Sequence, residues 1–196
     1  MEHLYGFLIE TSAYPDSAMK LRRQNSDNFE AGMPAKLRTE KARAGEAFML
    51  DHFSKERMRS IAKVLKQNQT YVVPTLVTNR GLYFSNDTAF TNDHRTGYLA
   101  EETKAYWKET VTKDLQNYST EDWRIFRKRY EVEKRIVKIL ADEGVMLLAG
   151  TDFDSPFCFP GFSLHDELAL LVQCGMRTID ALRSATINPA RYLKVT

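Results

Sequence analysis

The sequence predicts a helix-rich α/β fold with parallel strands, and three observations carry that expectation. Short apolar segments lie at residues 1–9, 70–78 and 145–152, separated by long stretches of helical periodicity. The last of them, Val145 to Asp152, reads as a buried parallel strand that ends abruptly in a carboxylate. Helix follows strand throughout, the order that parallel pairing with crossover helices requires.

Taken in order, Met1 to Ile9 read as the end of a strand without a lead-in, and they lack the charged start and long apolar run of a signal peptide. Residues 10–50 are polar, and Pro15 and Pro34 bracket charged stretches that predict a loop followed by one or two short helices. Ser54 is placed to cap a helix in which Met58, Ile61, Ala62 and Leu65 recur at i, i+3, i+4 and i+7. Asn68 and Gln69 end it. Thr70 to Thr78 is rich in β-branched residues and predicts a strand, with Pro74 at an edge, bulge or strand end because proline cannot donate to a ladder.

Residues 80–98 predict a polar loop dotted with aromatics, followed by helices over Glu101 to Tyr118 and Thr120 to Glu143. The second has Ser119 or Thr120 as cap, a wide apolar stripe of Phe126, Tyr130, Val132, Ile136, Val137, Ile139 and Leu140, and Gly144 as its stop. Phe153 to Phe162 holds two prolines, a glycine and four phenylalanines, a composition that suits a loop facing a site better than a core element. A helix from Ser163 opens on a capping-box pattern with Asp166 in place of Glu; it would bury Leu164, Leu168, Leu171 and Val172 and end at Gly175. A last helix from Thr178 would bury Ile179, Leu182 and Ala185, and Asn188-Pro189 would cap one more short turn. Without a repeat or a low-complexity linker, residues 1–196 read as a single domain.

Composition narrows the function classes. The net charge of +2, from 28 basic and 26 acidic residues, gives no bulk electrostatic case for nucleic acid or an anionic membrane. No apolar run reaches about 18 residues, so a transmembrane helix is not expected. Cys158 and Cys174 have no paired ligand spacing, which argues against a disulfide framework or a cysteine zinc site and fits a reducing, cytoplasmic compartment.

Asp152 stands where α/β folds place their chemistry, at the carboxyl end of a strand, although an isolated aspartate there is as readily a turn former. His3 at another strand end would supply an imidazole, and imidazole with carboxylate from different strands is the donor set of divalent metals. A catalytic zinc needs about three protein ligands and an open position, so two donors are not a site. His165, in the first turn of a helix, is a candidate substrate-binding group or a member of the cap. Asp166 and Glu167 read as charges that complement the dipole of that helix, His52 and His94 as surface residues, and Trp107, Trp123 and Tyr130 as core.

Ala149 to Asp152, Pro160-Gly-Phe-Ser-Leu-His-Asp-Glu-Leu168, Leu182-Arg-Ser-Ala-Thr186 and Asn188-Pro-Ala190 together resemble the end of the barrel in the metal-dependent amidohydrolase superfamily. The likeness is to its imidazolonepropionase-like and Xaa-Pro dipeptidase-like branch. Tyr71 to Thr78 is similar to the seventh strand of that branch, its proline included, and Glu2 to Gly6 to the end of the sixth. The likeness is concentrated in residues 1–9, 56–78 and 136–193.

This resemblance implies a partial (β/α)8 barrel, strands six to eight with their helices, and a helical insertion at about 80–143. It implies one or two divalent ions, commonly zinc, with His3 and Asp152 as ligands and Asp152 as the group that takes a proton from the attacking water. The substrate would be a small-molecule amide or a dipeptide. The family's first-strand His-x-His pair, fourth-strand lysine or glutamate and fifth-strand histidine have no counterpart, and a whole barrel needs about 250 residues and eight strands. The isolated chain is therefore expected to be inactive, and a homo-oligomer or a complementing barrel half from another polypeptide is a possible partner.

Overall fold

The computed structural model describes residues 1–195. After a short opening segment come α1 (Phe7–Glu10), α2 (Pro15–Glu30), α3 (Ala35–Asp51) and α4 (Lys55–Gln67), then strand β1 (Tyr71–Val72). Helices α5 (Leu76–Tyr83) and α6 (Thr88–Thr91), a 3-10 turn at His94–Tyr98, α7 (Glu101–Asn117) and α8 (Thr120–Asp142) lead to β2 (Met146–Leu147). The loop that follows gives way to α9 (Ser163–Gln173), α10 (Thr178–Ser184) and α11 (Ile187–Leu193). The fold is α/β and helix-rich around a two-stranded parallel sheet.

β1 pairs with β2 so that Tyr71 meets Met146 and Val72 meets Leu147. On the other side of β1, Glu2 makes a parallel bridge to Val73, held by Val73 N–H donating to the Met1 carbonyl at 2.8 Å and His3 N–H to the Val73 carbonyl at 3.1 Å. The three expected strand segments thus lie side by side and parallel in the order opening segment, β1, β2, although each is shorter than its apolar run. The outer edge of β2 is covered without a strand: Asn188 Nδ2 donates to the Leu147 carbonyl at 3.0 Å, and Ala149 N–H to the Ser184 carbonyl at 2.9 Å. Asn188 therefore serves the sheet edge, while Thr186 takes the cap position of α11 expected of it.

α8 is the central packing element. Its stripe of Phe126, Tyr130, Val132, Ile136, Val137, Ile139 and Leu140 is buried as the periodicity predicts, each large apolar side chain worth about 1.5–3 kcal/mol. Ser119 begins the helix with a capping box completed by Asp122. Ser54 caps α4 by accepting from Arg57 N–H, and Met58 and Ala62 are fully buried with Ile61 and Leu65 against them. Trp107, Trp123 and Tyr130 are all core residues.

Several expectations need correction. Residues 10–50 form two long helices, α2 and α3, where a loop and short helices were expected; their charged composition hid good helix formers, and the pair packs as a hairpin. The segment 70–78 leaves the strand at Thr75 and becomes helix at Leu76, and α5, α6 and the 3-10 turn occupy most of the expected 80–98 loop. Ser163 does not cap α9: its hydroxyl accepts from Phe159 N–H at 2.7 Å. The buried face of α9 is Ser163, Glu167, Leu170 and Leu171, one position off the predicted stripe, which leaves Leu164 and Val172 exposed. On α10 the buried residues are Ala181 and Ser184, and Ile179 and Leu182 face outward.

Candidate functional site

All three segments leave the sheet through left-handed backbone. His3 has φ +54°, Leu4 +56°, Thr75 +50° and Asp152 +46°. Such conformations cost non-glycine residues about 1–3 kcal/mol and persist only where the surroundings over-determine them. Gly150 lets the chain make its approach, since a Cβ there would lie 2.5 Å from Val73 Cγ1. The common result is that His3, Thr75 and Asp152 converge at one end of the strands.

Thr75 is fully buried and donates its hydroxyl proton to the Pro74 carbonyl at 2.8 Å. Its oxygen is then the acceptor for His3 Nδ1 at 2.7 Å. With Nδ1 carrying the proton, the neutral ring presents Nε2 as a lone pair, and that lone pair faces Asp152 Oδ2 at 3.7 Å. Two acceptors opposed at that distance call for a proton or a cation between them. The His3 side chain is only 18% exposed and that of Asp152 50%, so the pair opens to solvent on the aspartate side.

The backbone that carries Thr75 is fixed from behind. Glu167 on α9, 0% exposed, accepts from Leu76 N–H at 3.1 Å and Val77 N–H at 2.8 Å, so it caps α5 immediately after Thr75. Burial raises its carboxyl to about 7, against the lowering effect of those two N–H groups and of Arg80. Farther along the same helix, Asn79 Nδ2 donates to Glu133 at 3.0 Å and Tyr83 OH donates to Glu133 at 3.2 Å. Gly81 allows α5 to lie against the loop after Asp152, because a Cβ there would meet the Pro156 carbonyl oxygen at 2.3 Å.

A cavity of about 450 Å³ opens beside the pair, with His3, Asp152, Asp154, Asn79, Asp114 and Tyr106 in its walls. Burial raises the Asp114 carboxyl above its ordinary range. The loop from Phe153 divides its aromatics: Phe153 lines the cavity, whereas Phe157 and Phe159 are buried against Trp107 in a small core of their own. That loop is thus half site wall and half packing element.

Comparison of the chain with protein-family models, with curated proteins and with solved structures finds no match in any of the three.

Of the candidate residues, the structure brings His3 and Asp152 together and leaves His165 apart. His165 is exposed on α9 and is not in the wall of the cavity. Asp166 accepts from Arg95 Nη1 at 2.8 Å. His94 is at the surface with a side chain 88% exposed, and the Nδ1 of half-buried His52 bonds the Phe48 carbonyl at 2.8 Å. Sequence reasoning missed Thr75 and misassigned Glu167, whose carboxylate serves the start of α5 and not of its own helix. A signal was there: Glu167 falls at i+4 from Ser163 and i−4 from Leu171, a charged residue inside an apolar stripe.

Proposed function

We propose that this chain contributes strands six to eight of a (β/α)8 barrel in a metal-dependent amidohydrolase, with α6 to α8 as a helical insertion after strand seven. The reaction is hydrolysis of a C–N bond in a small-molecule amide, cyclic amide or dipeptide. The observation that carries this reading is the His3–Asp152 pair, an imidazole nitrogen 3.7 Å from a carboxylate oxygen at the ends of parallel strands. Two ligands each about 2.0–2.2 Å from zinc in tetrahedral geometry lie roughly 3.3–3.6 Å apart. Thr75 supplies the outer hydrogen bond that orients a ligating histidine.

The donor types and separation fit two positions of a zinc site, but not a whole one. Among the described residues no group of three or more His, Cys, Asp or Glu side chains is close enough to hold a metal. A bound divalent ion lowers the pKa of its water towards neutrality. Asp152, half exposed, is the group of this chain that takes the water proton and relays it to the nitrogen as the C–N bond breaks and the oxygen is added to carbon.

Alone, the chain binds zinc weakly and turns over no amide. Chelator-competition titration with zinc is expected to show one weak site that His3→Ala and Asp152→Ala each abolish. An assay over amides and dipeptides with zinc present is expected to be blank. Zinc uptake indifferent to both substitutions sinks the site, and turnover by the chain alone sinks the inactivity.

A second reading makes the chain a non-catalytic module that completes a barrel supplied by another polypeptide. One observation favours it: Val172, Ile179, Leu182 and Ile187, apolar residues on α9 to α11, are 37%, 49%, 48% and 43% exposed among the described residues. Turnover gained on adding a polypeptide that carries the His-x-His strand, with this chain's Asp152→Ala variant still active in the mixture, selects the second reading.

A further inference from the structure

We infer that a second cavity, on another face of α7, binds a small amphipathic carboxylate, a short apolar body with an anionic head. The inference does not rest on the metal reading, because none of the residues that line this cavity lines the one beside His3 and Asp152.

The cavity measures about 320 Å³ and lies among α7, the 3-10 turn and the loop that follows Asp152. Leu99, Trp107, Val111 and Phe157 give it apolar walls, and all four belong to the small core that stands apart from the main one. Ligand cavities span about 300–1,000 Å³, so this one suits a short chain or a single ring.

Trp107 decides the polarity of the ligand. Its side chain is deeply placed, with the residue 4% exposed, and its indole Nε1 is buried with no hydrogen-bond partner among the described residues. The rings of Phe157 and Phe159, with centroids 5.6 and 5.3 Å from that of Trp107, offer π faces and no lone pair. An indole N–H can only donate. A buried donor left unmatched forfeits its hydration, and the group that restores the balance is an acceptor.

The charges in the same walls select an acceptor that is also an anion. Lys104 and Lys108, three before and one after Trp107, both line the cavity, and neither an aspartate nor a glutamate does. Lys104 Nζ donates to Glu101 at 2.7 Å, which leaves Lys108 as the cation of the wall without a carboxylate among the described residues. The other polar groups are the hydroxyls of Thr91 and Thr96, and that of Thr96 already donates to the Asp93 carbonyl at 2.7 Å. A carboxylate bound here takes the Trp107 N–H on one oxygen and Lys108 on the other, with its carbon chain against Leu99, Val111 and Phe157. α7 can yield to admit it, because Trp107 is the one residue that this helix buries.

Octanoate, octanol and octylamine share one chain and carry a negative, a neutral and a positive head. Each is titrated into the full chain with EDTA present and read by the indole N–H signals in a nitrogen–proton correlation spectrum. The two tryptophans give two such signals, which Trp107→Phe assigns. Octanoate is expected to saturate with a downfield shift of the Trp107 signal while that of Trp123 stays in place. Octanol should bind about tenfold more weakly, and octylamine more weakly still. Lys108→Met, a change at an exposed position checked for an unchanged melting temperature, should weaken octanoate several-fold and leave octanol as it was. Equal affinity for the three probes, no saturation by octanoate in the millimolar range, movement of the Trp123 signal alone, or unaltered octanoate binding in Lys108→Met overturns the inference.

Discussion

Glu133 and Glu167 are the two most deeply buried carboxylates, 1% and 0% exposed, and both grip α5, yet they are satisfied in opposite ways. Glu133 sits in a charge lattice. Arg129 Nε donates to it at 2.8 Å, Arg129 Nη1 to Glu46 at 3.0 Å, and Arg43 Nε to Asp122 at 3.1 Å. Glu167 accepts only backbone N–H groups. The lattice ties the body of α5 to α3 and α8, with its carboxylates buried and its arginines reaching towards solvent. The helix-start contact sets the single turn of chain from which Thr75 reaches His3. One is a clamp that charge pairing holds, the other a positioning device that dipoles hold.

Breaking the lattice should have the larger effect on stability. Arg129→Ala strands Glu133 without its cation and leaves Glu46 with Arg43 alone, and removal of one partner of a buried ion pair costs about 3–5 kcal/mol. Urea unfolding should show that loss in the midpoint at constant slope. If Arg129→Ala costs less than Glu167→Gln under the same conditions, the ranking of clamp over cap is wrong.

Next comes the pH dependence of the cap. Glu167 moves from an ordinary 4.5 to about 7 in the fold, so its folded pKa is raised. The stability linked to its neutral form is complete below about 4.5 and is lost as pH rises through 7, by about 3 kcal/mol for a shift of that size. Glutamine cannot ionise and has one acceptor oxygen for two N–H groups. Glu167→Gln should therefore destabilise most at acid pH, and its cost should shrink as pH rises from about 4.5 to 7. A cost that grows over that range would mean that the two N–H groups outweigh burial and hold the carboxylate charged.

These two glutamates also mark how far the sequence could be read. The α8 stripe, the caps at Ser54 and Ser119, the parallel strand order and the pairing of His3 with Asp152 were legible, because periodicity, capping chemistry and strand-end position are local or nearly so. Thr75 was hidden because left-handed backbone at a β-branched residue follows no propensity; it is imposed by Glu167, which lies 91 positions away from Leu76. The faces of α9 and α10 were misread for a related reason. A short apolar helix has more hydrophobic residues than one neighbour can cover, so the pattern alone does not say which side is buried. α2 and α3 escaped because their burial is slight, with Ala18 the one fully buried residue of α2.

A smaller effect tests the link from cap to site. Thr75→Val keeps the shape and the β-branch but removes the acceptor for His3 Nδ1, at about 1 kcal/mol of stability. The ring is then free to turn, and zinc affinity should fall about 10–100-fold, as it does when outer hydrogen bonds of ligating histidines are lost. Thr75→Ser retains the hydroxyl and should restore most of that affinity. Equal zinc affinity in Thr75→Val and the unsubstituted chain would show that His3 needs no such support.

The smallest expected effect is the sharpest check on what α9 contributes. His165 and Glu167 are two residues apart on one helix, but His165 faces solvent while Glu167 faces the start of α5. His165→Ala should leave urea stability within about 0.5 kcal/mol and leave the zinc titration unchanged. If α9 serves the site through Glu167 alone, this holds at every pH. A loss of zinc affinity in His165→Ala would instead tie the exposed face of α9 to the His3–Asp152 pair. That outcome would make the exposed face of α9, and not the cap alone, the route by which this helix sets binding.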